Sequence, residues 1–135
     1  MIAVRAAHEC VLAIVGSVYK DAPPEVVGRV KAEIVAAFDR HDPRHFVSGG
    51  APGVDTWAEE EARRRGMTGE RITIHMPKNA RWAPDGYKDR NILIAIPPTE
   101  HLVRIFDPAS KTFGSGWTAN YAEQRGIQVE RISAG

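Results

Sequence analysis

One cysteine, Cys10, stands in 135 residues. A single thiol forms no internal disulfide and supports no cysteine-based zinc site. That fits a reducing compartment, and because Cys10 opens an apolar run it reads as a small core residue. Long apolar runs are missing too. No segment approaches the roughly 20 residues of a membrane span. Arg5, His8 and Glu9 interrupt the N-terminal stretch, and Cys10–Val15 is too short for the apolar region of a signal peptide. The expectation is a soluble cytoplasmic protein with no membrane partner. An excess of charge is also absent: 18 Lys and Arg against 17 Asp and Glu leave +1. This argues against a nucleic-acid partner, because backbone neutralisation takes several cations. The histidines give no metal set. His41 and His45 are four apart with Pro43 between them, and His8, His75 and His101 stand alone. No metal and no cofactor are expected, and spacing picks out no Ser-His-Asp arrangement. There is no internal repeat and no domain linker.

What is present is an ordinary globular composition, 43% hydrophobic and 26% charged, at the length of one domain. Cys10–Val15 is a continuous apolar run ending at Gly16-Ser17, which predicts a buried strand of a parallel sheet. Pro23–Phe38 reads as a helix with prolines in its first turn and Val27, Val30, Ile34, Ala37 and Phe38 on one face, with Gly28 a mild cost inside it. His45–Ser48 is a short strand. Val54–Arg65 is a helix with Val54, Trp57, Ala58 and Ala62 on its apolar face. Glu59/Arg63, Glu60/Arg64 and Glu61/Arg65 form three i,i+4 pairs on it, and Gly66 ends it. Arg71–His75 alternates as a strand, and Pro77–Gly86 is loop. Tyr87–Ile96 suits either a helix or, at Ile92–Ile96, a strand. Helix is favoured, because the strand Leu102–Phe106 would otherwise follow with no crossover. Asp107–Trp117 reads as loop, Thr118–Arg125 as a helix closed by Gly126, and Ile127–Ile132 as the last strand before a loose tail, Ser133–Gly135. Alternating strands and helices predict one Rossmann-like α/β/α domain with a mostly parallel sheet of about five strands.

In such sheets ligands bind beyond the carboxyl ends of the strands. Three segments fall there: Gly16-Ser17, Ser48–Asp55 and Gly114–Thr118. Ser48-Gly49-Gly50-Ala51-Pro52-Gly53-Val54-Asp55 joins a strand to a helix with three glycines in five residues, more than a tight βα turn needs. The helix start adds unpaired N–H groups and a positive dipole end, together an anion site. Asp55 in the first helical turn suits either the helix dipole or a bond to a ribose or base. No Gly-Lys-Ser/Thr follows, and no G-x-G-x-x-G follows the first strand, which argues against an ordinary P-loop NTPase or NAD-binding domain. Phe113-Gly114-Ser115-Gly116-Trp117-Thr118 is a second glycine cluster entering a helix. Lys78–Arg90 carries Lys78, Arg81, Lys88 and Arg90 with Trp82 and Tyr87 between them. It reads either as a solvated loop or as a lid over an anionic or aromatic ligand.

The stretch Phe46-Val47-Ser48-Gly49-Gly50-Ala51-Pro52-Gly53-Val54-Asp55-Thr56-Trp57-Ala58-Glu59 resembles the signature of the SLOG superfamily, closest to its YspA/YpsA-related branch. Val15-Gly16-Ser17, Arg90-Asn91, Gly114-Ser115-Gly116-Trp117-Thr118 and Arg125-Gly126-Ile127-Gln128-Val129 agree with that pattern in order, so the resemblance runs from Val11 to Ile132. It implies a nucleotide or nucleotide-derived ligand, with Arg90 and Asn91 beside it, and a homodimer with Trp82 or Trp117 near the interface or pocket. The LOG phosphoribohydrolases of the superfamily carry PGGxGTxxE with a catalytic glutamate. Here the place three residues after Thr118 holds Tyr121, and the nearest acid is Glu123. The expectation is therefore a binding or sensing domain. A nucleotide N-glycosidase and a single-stranded nucleic-acid binder like the DNA-processing protein A domain are the alternatives.

Overall fold

The structure is a computed structural model that describes residues 10–17, 21–110 and 114–135. Arg5, His8, Glu9 and Phe113 lie outside these residues. The strands are β1 (Val11–Ser17), β2 (His45–Ser48), β3 (Ile72–Ile74), β4 (His101–Phe106) and β5 (Gln128–Ser133). The helices are α1 (Pro24–His41), α2 (Val54–Arg64), α3 (Tyr87–Ile94) and α4 (Gly114–Gln124), with a 3-10 turn at Gly69–Arg71. All pairings are parallel, in the order β3-β2-β1-β4-β5. The expected three-layer Rossmann-like α/β domain is what the chain forms. No helix among the described residues is long and apolar enough to cross a membrane.

Two cores flank the sheet. Alternate residues of β1 point to opposite faces. Leu12 and Ile14 join Val30, Ile34 and Phe38 of α1 and Val54, Ala58 and Ala62 of α2. Ala13 and Val15 join Ile94 of α3 and Ala119 and Ala122 of α4. Because β1 is buried on both faces, its sequence is apolar from Val11 to Val15 instead of alternating.

Several boundaries move for tertiary reasons. Val26, not Val27, completes the buried stripe of α1. The helix continues past Phe38 because its last turn has partners elsewhere: Asp39 meets Arg65 at 2.7 Å, and Arg40 and His41 meet Glu130 at 3.1 and 2.6 Å. On α2, Arg64 bonds Glu61 instead of Glu60, since Glu61 is the buried carboxylate between Arg64 and Arg65. Gly66 takes φ +87°, with its N–H on the Arg63 carbonyl and that of Met67 on Ala62, as expected for a glycine that ends a helix. Tyr87–Ile94 is helical, so the crossover argument holds against the local β preference of Ile92–Ile94. The C-terminal tail is not loose: Ala134 is buried, donates to the Phe106 carbonyl at 2.8 Å and accepts from Arg29 at 2.8 Å.

Candidate functional site

Where the strand order reverses, between β1 and β4, the carboxyl ends of the strands open into a cavity of about 770 Å³. One wall comes from the end of β1, the loop after β2 and the first turn of α2: Val15, Gly16, Ser17, Gly49, Gly50, Ala51, Pro52 and Asp55. The opposite wall comes from α3 and the first turn of α4: Tyr87, Arg90, Asn91, Ile94, Gly114, Ser115 and Thr118. Met76, Pro77 and Trp82 form the third side.

The expected residues divide accordingly. Gly16, Ser17, Gly49, Gly50, Ala51, Asp55, Arg90, Asn91, Gly114, Ser115 and Thr118 line the cavity. Ser48, Gly53, Val54 and Gly116 do not. Ser48 is fully buried behind the loop. Gly53 caps α2, exchanging bonds with Thr56 at 3.2 and 3.0 Å. Val54 faces the core, where it would meet any side chain placed at Gly16. Gly116 covers the Arg104 guanidinium. Met76, Pro77 and Ile94 join the wall without any motif to announce them, because they belong to a helix and a loop whose sequences carry only an apolar signal. Of the basic loop Lys78–Arg90, Trp82, Tyr87 and Arg90 reach the cavity, while Lys78, Arg81 and Lys88 do not.

The glycine loop is held by side chains from both sides. Gly50 has φ +71°, a left-handed angle that L residues avoid. A Cβ there would also press on Met76 and lie 2.9 Å from Ile74. Gly50 N–H donates to the Ser48 hydroxyl at 3.1 Å, and Ala51 N–H to Asp55 Oδ2 at 3.2 Å. From α3, Arg90 Nη1 donates to the Gly49 carbonyl and Nε to Asn91 Oδ1. Arg90 is buried, 9% exposed, and its neighbour Asp89 accepts the Asp85 N–H instead of pairing with it. Its Nη2 and the Nδ2 of Asn91 make no hydrogen bond to the described residues, although both residues are buried on the cavity wall.

Asp55 is the electrostatic centre of the site. Burial pushes its pKa up to about 6, against the pull of the Ala51 N–H and of Arg90, while the charge of Glu59 pushes it further up. Burial lowers the Arg90 pKa, with Asp55 and Tyr87 opposing. Burial also lowers that of His75, helped by the Arg90 charge. A carboxyl group titrating near neutrality inside a cavity is a recurring sign of function.

At the start of α4, the Ser115 hydroxyl bonds that of Ser17 and accepts from Arg104 Nε at 2.9 Å, and Thr118 donates to the Gly114 carbonyl at 2.8 Å. The segment expected as a loop before Thr118 is thus the first turn of the helix. Beyond the cavity rim, Trp82 meets Trp117 edge-on with ring centroids 5.3 Å apart, Trp117 stacks on Tyr121 at 5.2 Å, and Arg125 covers Tyr121. Tyr121 is committed to this stack. Glu123 lies on the surface with Arg131, 3.2 Å away. No group of His, Cys, Asp and Glu among the described residues is arranged to hold a metal. Comparison with known protein families and with curated proteins gives no match to this chain.

Proposed function

We propose that this chain is a binding or sensing domain for a small nucleotide-like molecule carrying a phosphate. The observation that carries the reading is one cavity in which a glycine loop, a buried arginine and a buried carboxylate face aromatic and apolar side chains. An aromatic base suits the side formed by Met76, Trp82 and Tyr87. Asp55 accepts hydrogen bonds, as sugar hydroxyls require. Among the loop amides, Gly50 and Ala51 already donate to Ser48 and Asp55. The phosphate is therefore drawn across the cavity, toward Arg90 Nη2, Asn91 Nδ2 and the positive end of α4. The resemblance to the SLOG pattern adds support, and pairing of two copies near Trp82 and Trp117 belongs to the same reading. Screening nucleoside mono- and diphosphates and dinucleotides by thermal shift tests it. A true ligand at 100 times its dissociation constant adds about 2.7 kcal/mol. A panel in which nothing raises the melting temperature removes the reading.

One observation favours a second reading, cleavage of the bond between sugar and base. A carboxyl group with a pKa of about 6 on the cavity wall is placed for general acid or base work. Release of free base from a nucleoside monophosphate, seen by chromatography and lost in Asp55→Asn, would establish an enzyme. An absence of release leaves the sensor.

A further inference from the structure

The loop rests on a polar relay that no ligand can touch. Ser48 and Glu59 are both buried, and neither lines the cavity. The Ser48 hydroxyl donates to Glu59 Oε2 at 2.5 Å and accepts the Gly50 N–H at 3.1 Å, while the Ser48 carbonyl accepts from His75 N–H at 2.8 Å. On the sequence alone Glu59 is a surface partner of Arg63. In the fold its side chain is 9% exposed, and Arg63 Nη1 stands 4.0 Å away on a side chain 56% exposed. A buried carboxylate with so weak a counter-ion is costly to desolvate. Its chemistry gives it a use. An ionised carboxylate only accepts hydrogen bonds, so the Ser48 proton must point at Glu59, and the Ser48 lone pairs are left for the Gly50 amide. Without that acceptor the hydroxyl proton is free to turn toward the Gly50 amide, and nothing keeps the Ser48 lone pairs on it. Gly50 is the residue whose left-handed angle turns the loop along the cavity. One helical turn before Glu59, Asp55 holds the next amide, that of Ala51. Two carboxylates on one face of α2 thus fix consecutive amides of the loop.

We propose that Glu59 is the positioning residue of the glycine loop, acting through the Ser48 hydroxyl to fix the Gly50 amide and the wall that receives the ligand. Its consequence for affinity rests on the ligand-binding reading above; its effect on the loop does not. The test compares Glu59→Leu, which removes the acceptor, with Glu59→Gln, which keeps an acceptor and removes the charge. Hydrogen exchange at the Gly50 amide and calorimetric binding of AMP are the readouts. In Glu59→Leu, Gly50 exchange is expected to rise at least tenfold and AMP affinity to fall about tenfold, with a lower melting temperature because the buried Ser48 hydroxyl is left without an acceptor. Glu59→Gln should restore both to near the parent values. Parent-like exchange at Gly50 in Glu59→Leu overturns the proposal. Should Glu59→Leu fail to fold, Ser48→Ala breaks the same relay from its other end and is read by the same exchange criterion. A parent protein that does not bind AMP counts against the choice of ligand, while the exchange comparison still decides the role of Glu59.

Discussion

The chain enters a helix from a glycine-containing segment twice on the same edge of the sheet, and the two segments end differently. After β2, Gly49–Gly53 stays a loop, with Gly50 and Gly53 at positive φ. After β4, Gly114–Thr118 is helix from its first residue. Composition does not separate them. Their surroundings do. The first segment is gripped by Glu59 through Ser48, by Asp55 and by Arg90, each bonding a different backbone group, so an irregular path has every partner it needs. The second has its serine tied to Ser17 and Arg104 and its threonine bonded back one turn, which offsets a glycine penalty of roughly 1 kcal/mol per helical residue. A glycine-rich stretch is therefore permissive in both places, and neighbouring side chains select the outcome.

The sharpest way to break this contrast is Gly50→Val. A branched side chain at φ +71° collides with Ile74 and Met76. It should cost about 3–5 kcal/mol, from backbone strain and overpacking together, and remove ligand binding altogether. Urea denaturation and calorimetry check both. A variant that folds and binds like the parent would reduce the loop to a turn.

Next in size is the pH dependence carried by Asp55. Its folded pKa of about 6 lies above its ordinary 3.8, so the folded state holds the proton more tightly than the unfolded chain. The stability this gives is fully present below about pH 4 and is lost as pH rises through about 6, a change of about 3 kcal/mol by linkage. Asp55→Asn should flatten this part of the stability profile between pH 4 and 7. An identical profile in the variant would mean that the carboxyl group is not buried as described.

Arg90→Ala ranks third. It leaves the Gly49 carbonyl without its donor and Asp55 without its nearest cation. The expected loss is about 2 kcal/mol of stability, with Asp55 titrating still higher by NMR. A surface arginine would show neither effect, and Arg90→Lys should recover little, since a point charge does not reproduce the two-way fork.

The smallest effect belongs to the second glycine segment. At Gly116 the backbone is helical, and a Cβ would lie 3.4 Å from the flexible end of Arg104. Gly116→Ala should therefore stabilise the protein by about 0.5 kcal/mol, as alanine does in a helix. The opposite signs at Gly50 and Gly116, measured by thermal denaturation, would sharpen the comparison most directly.

Several features were open to reading before any coordinates. The unbroken apolar run of β1 predicted a strand buried on both faces. The alternation of strands and helices predicted the parallel sheet, and with it the edge on which Gly16, Gly50 and Gly114 converge. Other features were hidden for a definite reason. Glu59, four residues before Arg63, and Asp89, beside Arg90, both look in sequence like ordinary surface partners of a base on a short helix. One is buried under the loop and the other is on the surface, because only the packing of α2 beneath β2 tells them apart. Arg90 was expected beside the ligand and does line the cavity, but its bond to the Gly49 carbonyl forms only once α3 packs against the loop.

By itself, the sequence determined the element order and the two glycine segments, because periodicity and backbone permissiveness are local properties of the chain. The tertiary structure decided which glycines became loop and which helix, that Asp55 titrates near 6, and that Glu59 and Arg90 grip the loop from below and beside it. Burial and hydrogen bonding between residues separated along the chain are made only when the sheet closes, and no local pattern encodes them.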